Sequence, residues 1–273
     1  IQFPPGEFLV RAADDVHPIL YYILLWVWML PARSAGPEGT LFWMRLLSVL
    51  FAVGTVAAMM QAGRTLFRSR WIGAVAGLLT AVNAFQLQYA WEARMYTLGT
   101  LLFPLALAAL ADVVEARSRM SARRAGLRLG LTLTAFLHVH YYALFSWVAV
   151  GAAKLSAFAA RMFKDVKVTL RSPSFLWAEA GFWLSALLFL RWLRVFLAQV
   201  SRVEAAFWIP PMTALSIPAT IARLFWGGTG EVSVLRAALA AVVALLLAGV
   251  ALWRGRSLGD LIAVSVFVIP IGL

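Results

Sequence analysis

Three short stretches hold most of the side chains in this sequence that could do chemistry: Asp14-Asp15-Val16-His17-Pro18, Gln88 to Tyr96 with Glu92 and Arg94 inside it, and His138-Val139-His140-Tyr141-Tyr142. Carboxylates and imidazoles are the usual proton carriers near neutral pH, and Arg supplies a fixed cationic fork for a phosphate or carboxylate. The His138/His140 pair on a tight turn could bind a divalent metal, hold a phosphate, or hydrogen-bond to carbonyls. Asp14 and Asp15 stand just before Pro18, a residue suited to the first turn of a helix, so they can serve as a cap or as reactive acids. Glu92 and Arg94 either neutralise each other across a turn or take part in a reaction, and charge held so close to apolar sequence is expensive. The 273 residues include no Cys, which excludes disulfides, thiolate metal sites and a thiol nucleophile.

The elements that must position these residues are membrane helices. Apolar residues make up 63% of the chain and charged ones 13%, with 12 Trp and 18 Phe and a mean hydropathy of +0.84, which leaves too little polar surface to cover a soluble fold. Stretches of low charge and near-bilayer length run at 41–66, 71–90, 95–114, 121–138, 141–160, 175–197, 232–253 and 258–273. They predict eight crossings, in an all-α membrane protein built as one multi-pass bundle over 1–273. A shorter apolar segment, 18–30, reads as a juxtamembrane helix within a first outer loop at 1–40, and 198–231 reads as a second outer loop that could act as a lid or acceptor platform. The chain starts at Ile1 without Met and stops at Leu273 inside an apolar run, so it is expected to be a fragment at both ends.

The net charge of +12 comes from 24 Lys and Arg against 12 Asp and Glu. Its placement reads as topology rather than as a nucleic-acid surface. Basic clusters at Arg64 to Arg70, Arg117 to Arg128, Arg161 to Arg171 and Arg254 to Arg256 fall on alternate loops, which makes that face cytoplasmic. Asp14, Asp15, His17, Glu92, His138 and His140 then fall together on the opposite, outer face. Trp and Tyr near the span ends read first as interfacial anchors, and Gly73-Ala-Val-Ala-Gly77 allows close helix contact.

Asp15-Val-His-Pro followed by Tyr21-Tyr22, Arg45-Leu-Leu-Ser48, Gly63-Arg64, Gln88 to Tyr96, His138-Val-His-Tyr-Tyr142 and Phe207-Trp-Ile-Pro-Pro211 together resemble bacterial members of the polytopic GT-C glycosyltransferases. The resemblance is to the protein-O-mannosyltransferase-like branch, which includes relatives acting on lipid A or lipopolysaccharide core, and it runs from about Asp14 to Phe225. It implies a bundle with juxtamembrane helices in the first outer loop, in the bacterial inner membrane. It also implies transfer of a sugar from a polyprenyl-phosphate donor, at the outer face, to a protein, glycan or lipid acceptor. Such enzymes carry an Asp-Glu pair early in that loop, with one carboxylate as the base. This sequence has no Asp-Glu pair, so the main base is expected upstream of Ile1, with Asp14 or Asp15 as the substitute.

Within that resemblance, Arg94, His138, His140 and Arg202 are the groups available to hold an outer phosphate, since Lys154, Lys164 and Lys167 fall within or near the inner face. Asp15 and Glu92 are the candidate catalytic carboxylates. They would orient His17, the acceptor or the cations, or help hold a divalent metal. Asp14, His17, Gln88, Tyr96, Tyr141 and Tyr142 complete the expected substrate-binding set, the tyrosines and Trp91 as stacking surfaces for sugar or lipid. Two other readings share the hydrophobicity: a multi-pass transporter or lipid permease, which would favour charges at the midplane and internal repeats, and an inactive relative that retains the spans.

Overall fold

The computed structural model describes residues 4–32, 34–205, 213, 215–226 and 232–254, and among them all regular structure is helical. In chain order the helices are α1 (Pro5–Asp14), α2 (Leu20–Trp28), α3 (Pro37–Phe67), α4 (Arg70–Ala81), α5 (Ala84–Ala90), α6 (Tyr96–Val114) and α7 (Arg119–Leu137). They continue as α8 (Ala143–Met162), α9 (Val166–Arg171), α10 (Pro173–Leu190), α11 (Leu193–Ala205), α12 (Ser216–Trp226) and α13 (Val234–Arg254). Many starts follow local chemistry. Pro5, Pro37 and Pro173 occupy the first turn, where a missing N–H costs nothing. Ser69, Asn83, Asp165 and Ser172 accept a backbone N–H three residues on, and Ser118 and Ser121 close a reciprocal capping box.

Among the described residues three helices are long and apolar enough to cross a bilayer: α3, α6 and α10. The expected spans at 121–138 and 141–160 correspond to two separate helices, α7 and α8, joined by a turn at 138–142. Two other expected spans are not single helices. At 71–90 the chain breaks where Asn83 turns extended and its side chain accepts the Gln86 N–H at 3.0 Å, dividing α4 from α5. At 175–197 it breaks at Arg191 and Trp192, whose indole N–H donates to the Tyr141 hydroxyl at 3.1 Å. Within the segment expected as a juxtamembrane helix at 18–30 the chain forms the helix α2. It is preceded by α1, an amphipathic helix that the hydropathy profile does not mark. The segment read as an outer loop at 198–231 contains the end of α11 and all of α12. The last expected span, 258–273, and the Phe207 to Pro211 and Gly227-Gly228 motifs lie outside the described residues.

The bundle closes along two seams of small residues. α3 meets α4 where Gly63 faces Gly73, a Cβ on Gly63 lying 3.0 Å from the Gly73 Cα, and where Gly77 lies against Met60. This is the close contact that Gly73 and Gly77 predict. The second seam joins α7 to α10. A Cβ on Gly126 would run into the Trp177 carbonyl, one on Gly181 into the Gly126 carbonyl, and one on Gly130 would lie 2.8 Å from the Gly181 carbonyl. With no Cβ in the way, the two backbones touch, and Leu129, Leu133, Ala178 and Phe182 bury around them with α6 and α8. Within this region Lys154 of α8 is buried, its Nζ 2.6 Å from Glu179 of α10 and 4.2 Å from the Phe182 ring centroid. Glu179 also accepts the Trp183 indole N–H at 2.9 Å, so the cation and anion reach the apolar layer as a bonded unit.

The α7–α10 seam predicts a sharp asymmetry between glycines. Gly126→Val and Gly181→Val each force backbone apart and should lower stability by about 2 kcal/mol or more, seen as a lower thermal midpoint in detergent. Gly36→Ala, where nothing lies within 4 Å, should leave the midpoint unchanged.

Candidate functional site

The first loop is brought to the 138–142 turn by its own helix. α2 begins with unpaired N–H donors, as every helix does, and the Leu20 N–H donates to the His138 carbonyl at 2.9 Å. α2 is held on α3 by Tyr21, whose hydroxyl lies 3.3 Å from the Ser48 hydroxyl, and by Trp28, whose indole N–H donates to the Trp43 carbonyl at 2.9 Å. The segment between α1 and α2 therefore lies over the start of α8, and the His17 and His140 rings meet edge to face at 5.5 Å between centroids.

Around this pair the structure assembles much of the expected set. Asp15 accepts the Val16 N–H at 2.7 Å and the Tyr22 hydroxyl, and its carboxylate stands 3.8 Å from His17 Nδ1. That last distance is an electrostatic contact rather than a hydrogen bond, and His17 Nδ1 is buried without a partner. His140 accepts the Tyr142 N–H at 3.2 Å through Nδ1, stacks on the Tyr142 ring at 4.7 Å, and lies 5.8 Å from the Tyr96 ring. Tyr96 continues into Tyr89 at 4.4 Å and, beyond it, Phe85. Glu92 and Arg94 occupy the tight turn between α5 and α6, 3.7 Å apart, with the guanidinium mostly exposed. Arg94 is close enough for its charge to bear on His17, Tyr22 and Tyr89. Gln88 sits half-buried on α5, its carbonyl accepting the Trp91 N–H at 3.3 Å.

Other expected residues lie elsewhere. His138 turns away from His140: its Nδ1 lies 2.8 Å from the Thr134 carbonyl and its ring meets Phe189 at 5.6 Å. Tyr141 donates its hydroxyl to buried Gln199 and accepts from Trp192, which fastens α11 to the turn. Arg202, on α11, donates to the Asp14 carbonyl at 2.9 Å and stands 3.7 Å from its carboxylate, tying the end of α1 to α11. Tyr22 is a member of the cluster that belongs to the Tyr21-Tyr22 motif but not to the expected set of site residues. Its signal was the seven-residue spacing from Asp15 across a short break into a helix. Among the described residues no three His, Asp and Glu side chains converge as a metal site, and His17, His140 and Asp15 come nearest.

The electrostatics favour neutral imidazoles. Burial lowers the His17 pKa, with Asp15 acting in the opposite sense, and burial together with His17 brings His140 down to about 4. Burial, reinforced by the bond to Asp15, raises the Tyr22 pKa and keeps the phenol protonated. Beside this polar group opens a cleft of about 240 Å³ whose far walls are apolar, with Gly99, Phe103 and Phe136 opposite Tyr96, His140 and Tyr142. The arrangement joins a fixed cation, two uncharged imidazoles and two carboxylates to a hydrophobic slot through His140, the one of these groups that lines it. It can hold an anionic group at the boundary and accept a proton there.

The lowered histidine pKa values set a pH dependence. An unfolded histidine binds protons below about 6.5, whereas folded His140 resists protonation down to about 4. The stability contributed by burying it neutral is therefore complete above pH 6.5 and is lost progressively as pH falls toward 4. Thermal midpoints measured from pH 7.5 to 4 should fall steeply in the wild type and less steeply in His140→Phe, which retains a ring for Tyr96 and Tyr142. Identical slopes would show that His140 carries none of the acid sensitivity. Compared with protein-family models, curated proteins and solved structures, the chain finds no match.

Proposed function

We propose that this chain is a glycosyltransferase of the polytopic GT-C type, moving a sugar from a polyprenyl-phosphate donor to an acceptor at the outer face of the bacterial inner membrane. The observation that carries the reading is the juxtaposition of the Arg94, Asp15, His17 and His140 group with a slot walled by Gly99, Phe103 and Phe136. A lipid-phosphate sugar needs both halves of such a site. Its isoprenoid chain is apolar and needs a groove among helices, while the bond that breaks leaves negative charge on a phosphate. Three helices of bilayer length, with Tyr96 at the start of one of them, support placing that slot at a membrane boundary. In this reading the apolar stretches cross the membrane as a multi-pass bundle, two of them as helices broken at Asn83 and at Arg191, and the cationic loops face the cytoplasm.

The transfer divides among the residues as follows. Arg94 takes the charge that collects on the departing phosphate, with Glu92 limiting its swing. A carboxylate takes the proton of the acceptor hydroxyl as that oxygen attacks the anomeric carbon. Asp15 is the described carboxylate nearest the cluster, and Tyr22 and the Val16 N–H hold it in place. Neutral His140, whose Nδ1 accepts the Tyr142 N–H, donates its Nε2–H to sugar or acceptor, and Tyr96 and Tyr142 offer ring faces to the sugar. The intramembrane Lys154–Glu179 pair is a feature a transporter could also use, but each charge already has its partner in the other, which favours a structural part.

The test is turnover in vesicles supplied with polyprenyl-phosphate hexoses, reading release of free polyprenyl phosphate. Wild type should release it. Arg94→Ala should cut release by about a hundredfold or more, and Asp15→Asn by a comparable factor, with thermal midpoints unchanged. Near-normal release by Arg94→Ala would take Arg94 out of the site, and no release by the wild type with any hexose and acceptor extract would overturn the reading.

A further inference from the structure

A second and larger cavity, about 580 Å³, lies on the other side of the 138–142 turn, between α2, α7 and the break that separates α10 from α11. Ile19, Ile23, Leu131 and Leu188 make its walls apolar, and His138 and Arg191 give it a polar end. Buried Val139 stands in the turn between this side and the His140 side. Arg191 is exposed, caps the end of α10, and has no carboxylate paired with it among the described residues. The carbonyl of Thr134 can only accept, so His138 Nδ1 must be the donor in their 2.8 Å contact. A ring with a single N–H, donated from Nδ1, has Nε2 left to offer as an acceptor.

A cation and a hydrogen-bond acceptor at the mouth of an apolar groove match one kind of bilayer component. We propose that this cavity binds an anionic glycerophospholipid with a hydroxylated headgroup, of the phosphatidylglycerol type. Its phosphodiester pairs with Arg191, a headgroup hydroxyl donates to His138 Nε2, and one acyl chain lies along Ile19, Ile23, Leu131 and Leu188. The hydroxyl requirement separates it from a bare polyprenyl phosphate, which has no glycerol hydroxyl to give. The single positive charge separates it from a zwitterionic lipid, whose ammonium would crowd Arg191. The ligand touches both sides of the α10–α11 break and the first residues of α2, so its presence would brace the elements that hold Tyr141 and His17. The proposal rests on the membrane reading of the apolar helices and is independent of glycosyl transfer.

Native mass spectrometry of the protein in detergent, supplied in turn with phosphatidylglycerol, phosphatidylethanolamine and polyprenyl phosphate, tests it. Wild type should retain phosphatidylglycerol preferentially. Arg191→Gln, a change at an exposed position that leaves the fold undisturbed, should reduce the retained fraction about tenfold, as should Ala135→Trp, which fills the groove. Arg94→Ala should retain phosphatidylglycerol like the wild type, which separates this cavity from the slot beside His140. Undiminished retention by Arg191→Gln would overturn the proposal. So would an Arg191-dependent preference for polyprenyl phosphate or phosphatidylethanolamine.

Discussion

One backbone hydrogen bond, from the Leu20 N–H to the His138 carbonyl, connects two parts of the chain more than a hundred residues apart and makes the site possible. A helix start must find acceptors for its first N–H groups, and in this fold one of them comes from the turn that reverses the chain between α7 and α8. The consequence is geometric. Asp15 and His17 precede α2, His140 follows His138 by two residues, and docking the helix on the turn brings the two imidazoles to 5.5 Å. Tyr21 and Trp28 set the rotation of α2 by bonding to α3, so the loop arrives with the Tyr22 hydroxyl donating to Asp15.

The turn itself stays in place because the helices on either side of it are held by close backbone contact. α7 carries too many arginines to rely on lipid-facing apolar surface, and among the described residues only α3, α6 and α10 have the length and composition of free-standing spans. Gly126, Gly130 and Gly181 let α7 lie directly on α10, and Arg128 pairs with Asp112 of α6 at 2.8 Å. Dispersion between touching backbones then does for α7 what hydropathy does for α3. The same contact carries the end of α10 to Trp192, which bonds to Tyr141 in the turn.

Much of this was legible in the sequence for a simple reason: apolar length and charge clustering are one-dimensional signals. The long helices, the turn at 138–142 and the gathering of Asp15, His17, Glu92, Arg94 and His140 could all be read from them. The breaks at Asn83 and Arg191 could not, because hydropathy averages over a window wider than a two-residue interruption, and an asparagine cap looks like any polar residue within a span. α1 escaped for the opposite reason: its apolar and polar faces cancel in a linear average although they separate on a helix. The separate fates of His138 and His140 were also hidden. Two residues apart on a turn, they point to different sides, and only the Thr134 carbonyl and the Phe189 ring determine which goes where.

That separation bears on how the polar residues divide their work. Had both histidines joined His17, three imidazoles and Arg94 would share one boundary, and protonating any of them would repel the rest. The structure leaves two imidazoles, each kept neutral by burial, with His140 held near pKa 4 partly by its neighbour. Arg94 is therefore the fixed positive charge of the cluster across the physiological range, its guanidinium mostly exposed beside Glu92 and Tyr96. The slot itself is lined by uncharged Tyr96, His140 and Tyr142, so the polar rings and the cation of Arg94 occupy separate places.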